Sequence, residues 1–343
     1  MKFIRSIIVS ASLVLMIVAS SCDEESCMFD IDPWYWGHSS VTIITDNHVE
    51  YIYNEGYTYY GGPFFNRFSE AKGLDKITSL KISGDMYLQD FEVIQKCTNL
   101  VTADFSEAMM HNLSYNDYSL SFAGLEFLET VILPTNMPDI TSDCFQGCTN
   151  LKSITMQWGV ERIEDNAFES LSLLEKVDMS NASTTRIGDS VFCKCSSLKE
   201  VVLPSSITSI DEYAFAYCTS LEDITLPNSL RFVGSRMFAG CKNLKQVKLS
   251  TGTSFINLRM FEWCSSLESL TIPATVTDVY SKPFYNCTKL KHIRLEATTP
   301  PQLHQDVFAG FDQTACTLSV PKSAVETYKN TDGWKDFGTI EGF

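Results

Sequence analysis

A chain of 343 residues, 44% of them hydrophobic, has ample material for a continuous core. A formal charge of −16 repels phosphate backbones and anionic lipid, so nucleic acid is not an expected partner. Only five histidines are present, which leaves little for metal or acid–base chemistry.

Lys2 and Arg5 precede an apolar run from Ile7 to Val18, too short to span a bilayer and shaped like a leader. Ala19-Ser20-Ser21-Cys22 follows, and small residues before a single cysteine resemble a bacterial lipobox. The resemblance implies a leader over residues 1–21, a lipid on Cys22 and contact with the membrane through that anchor only. The alternative is an ordinary secretory leader cleaved after Ser20 or Ser21. Asp23, Glu24 and Glu25 resemble the surface-export signal of Bacteroidota lipoproteins, which implies the outer face of the outer membrane. A solvated linker on a periplasm-facing or secreted chain is the other reading. Loss of Lys2 and Arg5 with the leader takes the charge from −16 to about −18.

Aromatic residues accumulate from Cys27 to Gly73. Trp34, Tyr35 and Trp36 sit beside Pro33 and Gly37, and Tyr57, Tyr59, Tyr60, Phe64 and Phe65 continue the bias. Val41–Ile44 and Val49–Tyr53 read as two strands joined at Asp46-Asn47. Residues 22–69 have two possible roles. They are a linker and small β cap over the first repeat, which an open solenoid end requires. They also present a candidate patch, in which Trp34, Tyr35 and Trp36 stack on a sugar or a protein.

The organising pattern lies further on. Phe192, Phe215, Phe238, Phe261 and Phe284 recur every 23 residues. Each is followed at three by a cysteine (Cys195, Cys218, Cys241, Cys264, Cys287) and at six by a leucine. Aliphatic residues follow at nine (Val201, Ile224, Val247, Leu270, Ile293) and at eleven. A fixed period of this length marks a solenoid. Upstream, Phe168, Phe145 and Phe122 head further units. A looser unit then holds Ile94, Cys97, Leu100, Ala103 and Phe105, and Leu74, Ile77, Leu80 and Ile82 form the tail of a first one. The link after the looser unit carries an insertion around Met109–Asn116. Downstream, Phe308 heads a last unit with Phe311 in the cysteine slot. The array covers residues 70–320, about ten repeats.

Within a repeat, the stretch Leu198–Leu203 alternates like a strand with one buried face, and Pro204, Pro227 and Pro273 close such strands. A second buried site falls five residues before each phenylalanine: Ile163, Ile187, Ile210, Val233, Ile256 and Val279. Between it and the cysteine, Asp211–Phe215 suits a short helical turn. The fold class is therefore a repeat solenoid of stacked parallel β-strands with a short helical turn in each 23-residue repeat. At the C-terminus Thr317–Val320 reads as the last strand, ended by Pro321. Ser323-Ala324-Val325-Glu326 has the capping-box pattern and opens a short helix through Tyr328, with Trp334 and Phe337 plugging the core. Residues 321–343 make the C-terminal cap.

Seven cysteines (Cys97, Cys148, Cys195, Cys218, Cys241, Cys264, Cys287) share one register. Stacked side chains point in parallel, which suits packing and suits an S–S bond poorly. Cys144, Cys193 and Cys316 fall off that column, and their pairing stays open. A line of thiols offers no tetrahedral metal site, and no histidine has metal or nucleophile spacing. No cofactor, metal or catalytic residue is expected.

The unit Ile210-Asp211-Glu212-Tyr213-Ala214-Phe215-Ala216-Tyr217-Cys218-Thr219-Ser220-Leu221-Glu222-Asp223-Ile224-Thr225-Leu226-Pro227 resembles the BspA-type leucine-rich repeat of bacterial surface proteins. That resemblance implies a leucine-rich-repeat solenoid, secreted or surface-held, acting by non-catalytic binding or adhesion. It does not name the ligand. The outward strand positions Thr155, Asp178, Thr225, Lys248, Thr271, His292 and Arg294 form a candidate contact face for a protein or glycan, basic toward Lys248, His292 and Arg294. A merely solvated sheet is the competing reading. The expected molecule is a monomer. The alternatives are a structural envelope or periplasmic scaffold and a glycan-binding accessory of a degradation system.

Overall fold

The structure, a computed structural model, describes residues 39–45, 50–55, 72–111, 121–137 and 139–343, the first two segments by backbone alone. The leader, Cys22, the Trp34–Trp36 patch and most of the Met109–Asn116 insertion lie outside them.

Strands β1 (Ser39–Thr45) and β2 (Glu50–Glu55) form an antiparallel hairpin. Strand β1 also pairs antiparallel with β3 (Ile77–Met86), the first rung of the array. From β3 onward every strand of the main sheet runs parallel to its neighbour. Helix α1 (Leu88–Ile94) leads into β4 (Thr102–Met110). Short rungs follow: β5 (Thr130–Ile132), β6 (Ser153–Thr155), then one strand per repeat. The strand β7 (Arg162–Ile163) belongs to a second, narrower sheet, and the two sheets alternate along the chain.

In the main sheet come β8 (Lys176–Asp178) and β10 (Glu200–Val202), with β9 (Arg186–Ile187) and β11 (Ser209–Ile210) in the second. The main sheet resumes with β12 (Asp223–Thr225), β14 (Gln246–Lys248), β16 (Ser269–Ile272), β18 (His292–Leu295) and β20 (Thr317–Val320). The second sheet holds β13 (Phe232–Val233), β15 (Phe255–Ile256), β17 (Asp278–Val279) and β19 (Gln302–Leu303).

The residues between the two sheets form one continuous core. Phenylalanine rings stack along its axis from Phe122 to Phe308, with consecutive centroids 5.1 to 6.5 Å apart. That separation is close to the rung spacing of a sheet, so one period per turn places each ring over the last. Phe145, Phe192, Phe238 and Phe284 stand in this single column, as the spacing requires. At its N-terminal end the ring is Phe91 rather than Ile94, the head expected for the looser unit. Phe91 lies 5.3 Å from Phe122 because α1 presents it one helical turn earlier.

The helical turn expected in each repeat is realised as consecutive tight turns. In one repeat Cys193 N–H donates to Ser190 C=O and Cys195 N–H to Phe192 C=O. From Phe168 to Phe308 the residues two before and two after each column phenylalanine take positive φ, as at Ser190 (57°) and Lys194 (65°). Alternate peptides then point along the array: Ser190, Phe192 and Lys194 N–H reach Glu212, Ala214 and Ala216 C=O in the next repeat, each at 2.8 Å. The same three donations recur from Tyr213, Phe215 and Tyr217, from Arg236, Phe238 and Gly240, and from Arg259, Phe261 and Trp263. All run from one repeat to the next.

The C-terminal capping box does not form. Ala324 N–H bonds Pro321 C=O in a 3-10 turn, so α2 (Val325–Lys329) starts beyond Ser323, whose side chain caps nothing. The sheet also continues past Pro321: β21 (Thr339–Gly342) adds a parallel strand to β20. Trp334 and Phe337 pack on Phe308 at 5.7 and 5.3 Å, and Trp334 Nε1–H donates to Pro301 C=O at 3.0 Å.

Candidate interaction surface

A strand with one face on the core turns its alternate residues to solvent. Ile154, Val177, Ile224, Val247, Leu270 and Ile293 are buried, so their neighbours point out. Thr155 and Asp178 are half-buried, whereas Thr225, Lys248, Thr271, His292 and Arg294 are exposed. Strand register puts Thr155 beside Asp178, and Lys248, Thr271 and Arg294 in one row with His292 in the next. The sheet therefore brings the residues together in two groups rather than one.

What divides them is a break in the ladder. Strand β10 pairs with β8, and β12 with β14, but β10 and β12 do not pair with each other. On either side, Met179 N–H reaches Val202 C=O and Leu226 N–H reaches Lys248 C=O, each at 2.9 Å. Among the described residues no such bond runs from Leu203 to Thr225. A cleft of about 540 Å³ opens there, lined by Lys199, Glu200, Val201, Leu203, Asp223 and Thr225 among others. Val201 and Leu203 are only half-buried, whereas Val177 and Met179 are wholly buried. The opening is one-sided. Strand β11 pairs with both β9 and β13, and the Phe192 and Phe215 rings stay stacked at 5.3 Å.

Charge on this face is mostly paired across rungs, as in Lys176–Glu200 at 2.9 Å and Lys245–Glu222 at 2.7 Å. Such exposed pairs contribute about 0–1 kcal/mol each. Lys248 forms no ion pair among the described residues. The Arg294 guanidinium sits 3.2 Å from the ring centre of Phe343 and 3.9 Å from Glu296, so its basic character is partly covered. Burial tends to raise the Asp178 carboxyl, but bonds from Ser180 outweigh it and hold the group below its ordinary value. Val202 shares its row with the apolar Ile132 and stands at the edge of the cleft.

The thiols are built into the core. Cys195, Cys218, Cys241, Cys264 and Cys287 donate to the carbonyls of Phe168, Phe192, Phe215, Phe238 and Phe261, at 3.0 to 3.2 Å. All ten cysteines of the described residues are free and buried, Cys144, Cys193 and Cys316 included. Desolvation pushes Cys241 and Cys287 up to about 12, so neither is a nucleophile at neutral pH. His304 stacks on Tyr280 at 4.2 Å and meets Asp278 at 3.1 Å, with no nucleophile in the contact.

Two parallel sheets on one stacked aromatic column, one turn per repeat, define a leucine-rich-repeat solenoid. Solenoids of this class are typically non-catalytic interaction scaffolds. The family described as BspA type leucine rich repeat region matches residues 118–231 and 185–315, more than half of the chain, and this protein belongs to it. Among solved structures, a leucine rich repeat protein of T. pallidum is 26% identical, with a TM-score of 0.40 over 42% of this chain and 71% of that one. A leucine rich cell surface protein of Faecalibacterium prausnitzii is 19% identical, with a TM-score of 0.35 over 87% and 86%. A leucine-rich repeat protein of Bacteroides ovatus is 21% identical, with a TM-score of 0.30 over 73% and 85%. No curated protein matches the chain.

Proposed function

We propose that this protein is a non-catalytic binding and adhesion protein, held by a lipid on Cys22 at the outer face of the outer membrane. In this reading residues 1–21 are the leader, 22–69 and 321–343 close the ends, and 70–320 carry the contact surface. The observation that supports it is the opened ladder between β10 and β12 beside the exposed row of Thr225, Lys248, Thr271 and Arg294. Unpaired strand edges offer main-chain N–H and C=O groups that a partner can complete, which favours a polypeptide over a glycan at this face.

The test pairs a pull-down from host and microbial surface extracts with two variants, Val202→Arg at the cleft and Lys248→Glu on the row. Loss of the same captured protein in both variants, with an unchanged melting temperature, supports the strand face. Undiminished capture by both would overturn it. Protease shaving of intact cells checks the address: digestion supports surface display, and protection supports the periplasmic scaffold.

A further inference from the structure

The turns opposite the strand face carry a second row of residues. Two places after each phenylalanine the backbone is left-handed, and Gly124, Gly147, Gly240 and Gly310 occupy that column with φ between 71° and 84°. Tyr217 and Trp263 occupy it as well, at 61° and 63°. A bulky side chain there costs roughly 1–2 kcal/mol against a residue at ease in this conformation. Burial compensates only in part, because Tyr217 is 49% exposed and Trp263 50%. Strain offset by only partial packing, with half of each residue left in solvent, points to a role outside the fold.

The glycines beside these rings act as a floor. A Cβ on Gly240 would come within 2.5 Å of Tyr217 Cδ1, and one on Gly310 within 2.4 Å of Tyr285 Cδ2. Each tyrosine thus lies across the neighbouring rung. Trp263 stands edge-on to Tyr285, 6.0 Å away. The border is cationic. Arg236 and Lys242 flank Gly240 in the same repeat, and neither forms an ion pair among the described residues. The nearby Glu262 is buried and tied to Arg259 at 2.8 Å. The Arg236 guanidinium lies over the Tyr213 ring at 5.4 Å, while Lys242 is exposed, so in a chain of charge −16 two cations without a carboxylate partner stand in the repeat between Tyr217 and Trp263.

We infer that Tyr217, Trp263 and Tyr285, floored by Gly240 and bordered by Arg236 and Lys242, bind an acidic glycan. Ring faces take the C–H faces of sugar rings, and the cations take their carboxylate or sulfate groups. Tyr217 and Trp263 are two rungs apart, about 10 Å at ~4.8 Å per rung. This site is separate from the strand face and stands without it.

The full mature chain is tested against immobilised polygalacturonate (carboxylate), chondroitin sulfate (sulfate and carboxylate) and neutral mannan. Binding to either acidic polymer, with none to mannan and a steep decline in added salt, is expected. The Tyr217→Gly, Trp263→Gly double variant should lose at least tenfold in affinity while its melting temperature stays level or rises. Arg236→Gln with Lys242→Gln should lose affinity and flatten the salt dependence. Lys248→Glu on the strand face should change neither, which separates this site from the one proposed above. Failure to bind both acidic polymers, equal binding to mannan, full binding by the glycine variant or a fall in its melting temperature would each overturn the inference.

Discussion

The Cys218 thiol donates to the Phe192 carbonyl of the preceding repeat at 3.2 Å, and the same contact recurs down the column. The thiol is small enough for the space between stacked rings and adds a donor that alanine lacks. Desolvation raises Cys148, Cys241 and Cys287 from 9.0 to about 12. A thiol whose folded value is raised stabilises fully below its unfolded value, and its contribution is lost as pH rises through the folded one. Between pH 9 and pH 12 each such thiol should therefore lower stability by about 1.4 kcal/mol per pH unit. Urea midpoints should hold from neutral pH to about pH 9 and then fall. Cys241→Ala should lessen the slope by one thiol's share, and an unchanged slope would refute the coupling.

Phe215 lies between Phe192 and Phe238, at 5.3 and 5.8 Å, and is wholly buried. Phe215→Ala should cost about 3–5 kcal/mol in chemical denaturation. Phe215→Leu should cost less, because it keeps apolar volume and loses the two ring contacts. Equal losses would mean that the ring contacts, and not apolar volume, account for the stabilisation.

The break between β10 and β12 should show in hydrogen exchange. The Leu203 amide, without the rung bond that Met179 and Leu226 make, should exchange faster than both. Phe192 and Phe215 amides, in the unbroken turn ladder beside it, should stay protected. Equal protection of Leu203 and Leu226 would mean that the two strands close in solution.

Trp334 seals the C-terminal end of the column through Phe308 and a bond to Pro301. Trp334→Ala should cost about 3–5 kcal/mol. Because each repeat touches only its neighbours, the loss should appear as faster exchange around Phe308–Phe311. Exchange around Phe122–Phe168 should stay at its original rate. Uniform loss of protection along the whole array would contradict that.

The array was legible because its period is written in single residues: a phenylalanine and a cysteine three apart mark each turn, and packing obeys them. Ser323 carries the capping-box pattern without capping because that pattern does not register the 3-10 turn that Pro321 begins. Ile94 stands in the repeat register of the column while Phe91 supplies the ring, because α1 displaces it from that register. The row from Lys248 to Arg294 was readable from alternation, but the cleft was not. It arises from the separation of two strands with ordinary sequences, Glu200–Val202 and Asp223–Thr225. Nor did sequence place Phe343 over Arg294, since that contact joins the chain end to a rung far upstream.

Each turn hands its N–H groups forward, so the peptides of Ser190, Phe192 and Lys194 and their successors line up as dipoles in series. The turn ladder is in this respect a one-way track, its amides aimed toward the C-terminal repeats and its carbonyls toward the N-terminal ones. Repeats could be spliced in or out of the middle without reversing that polarity or disturbing either cap.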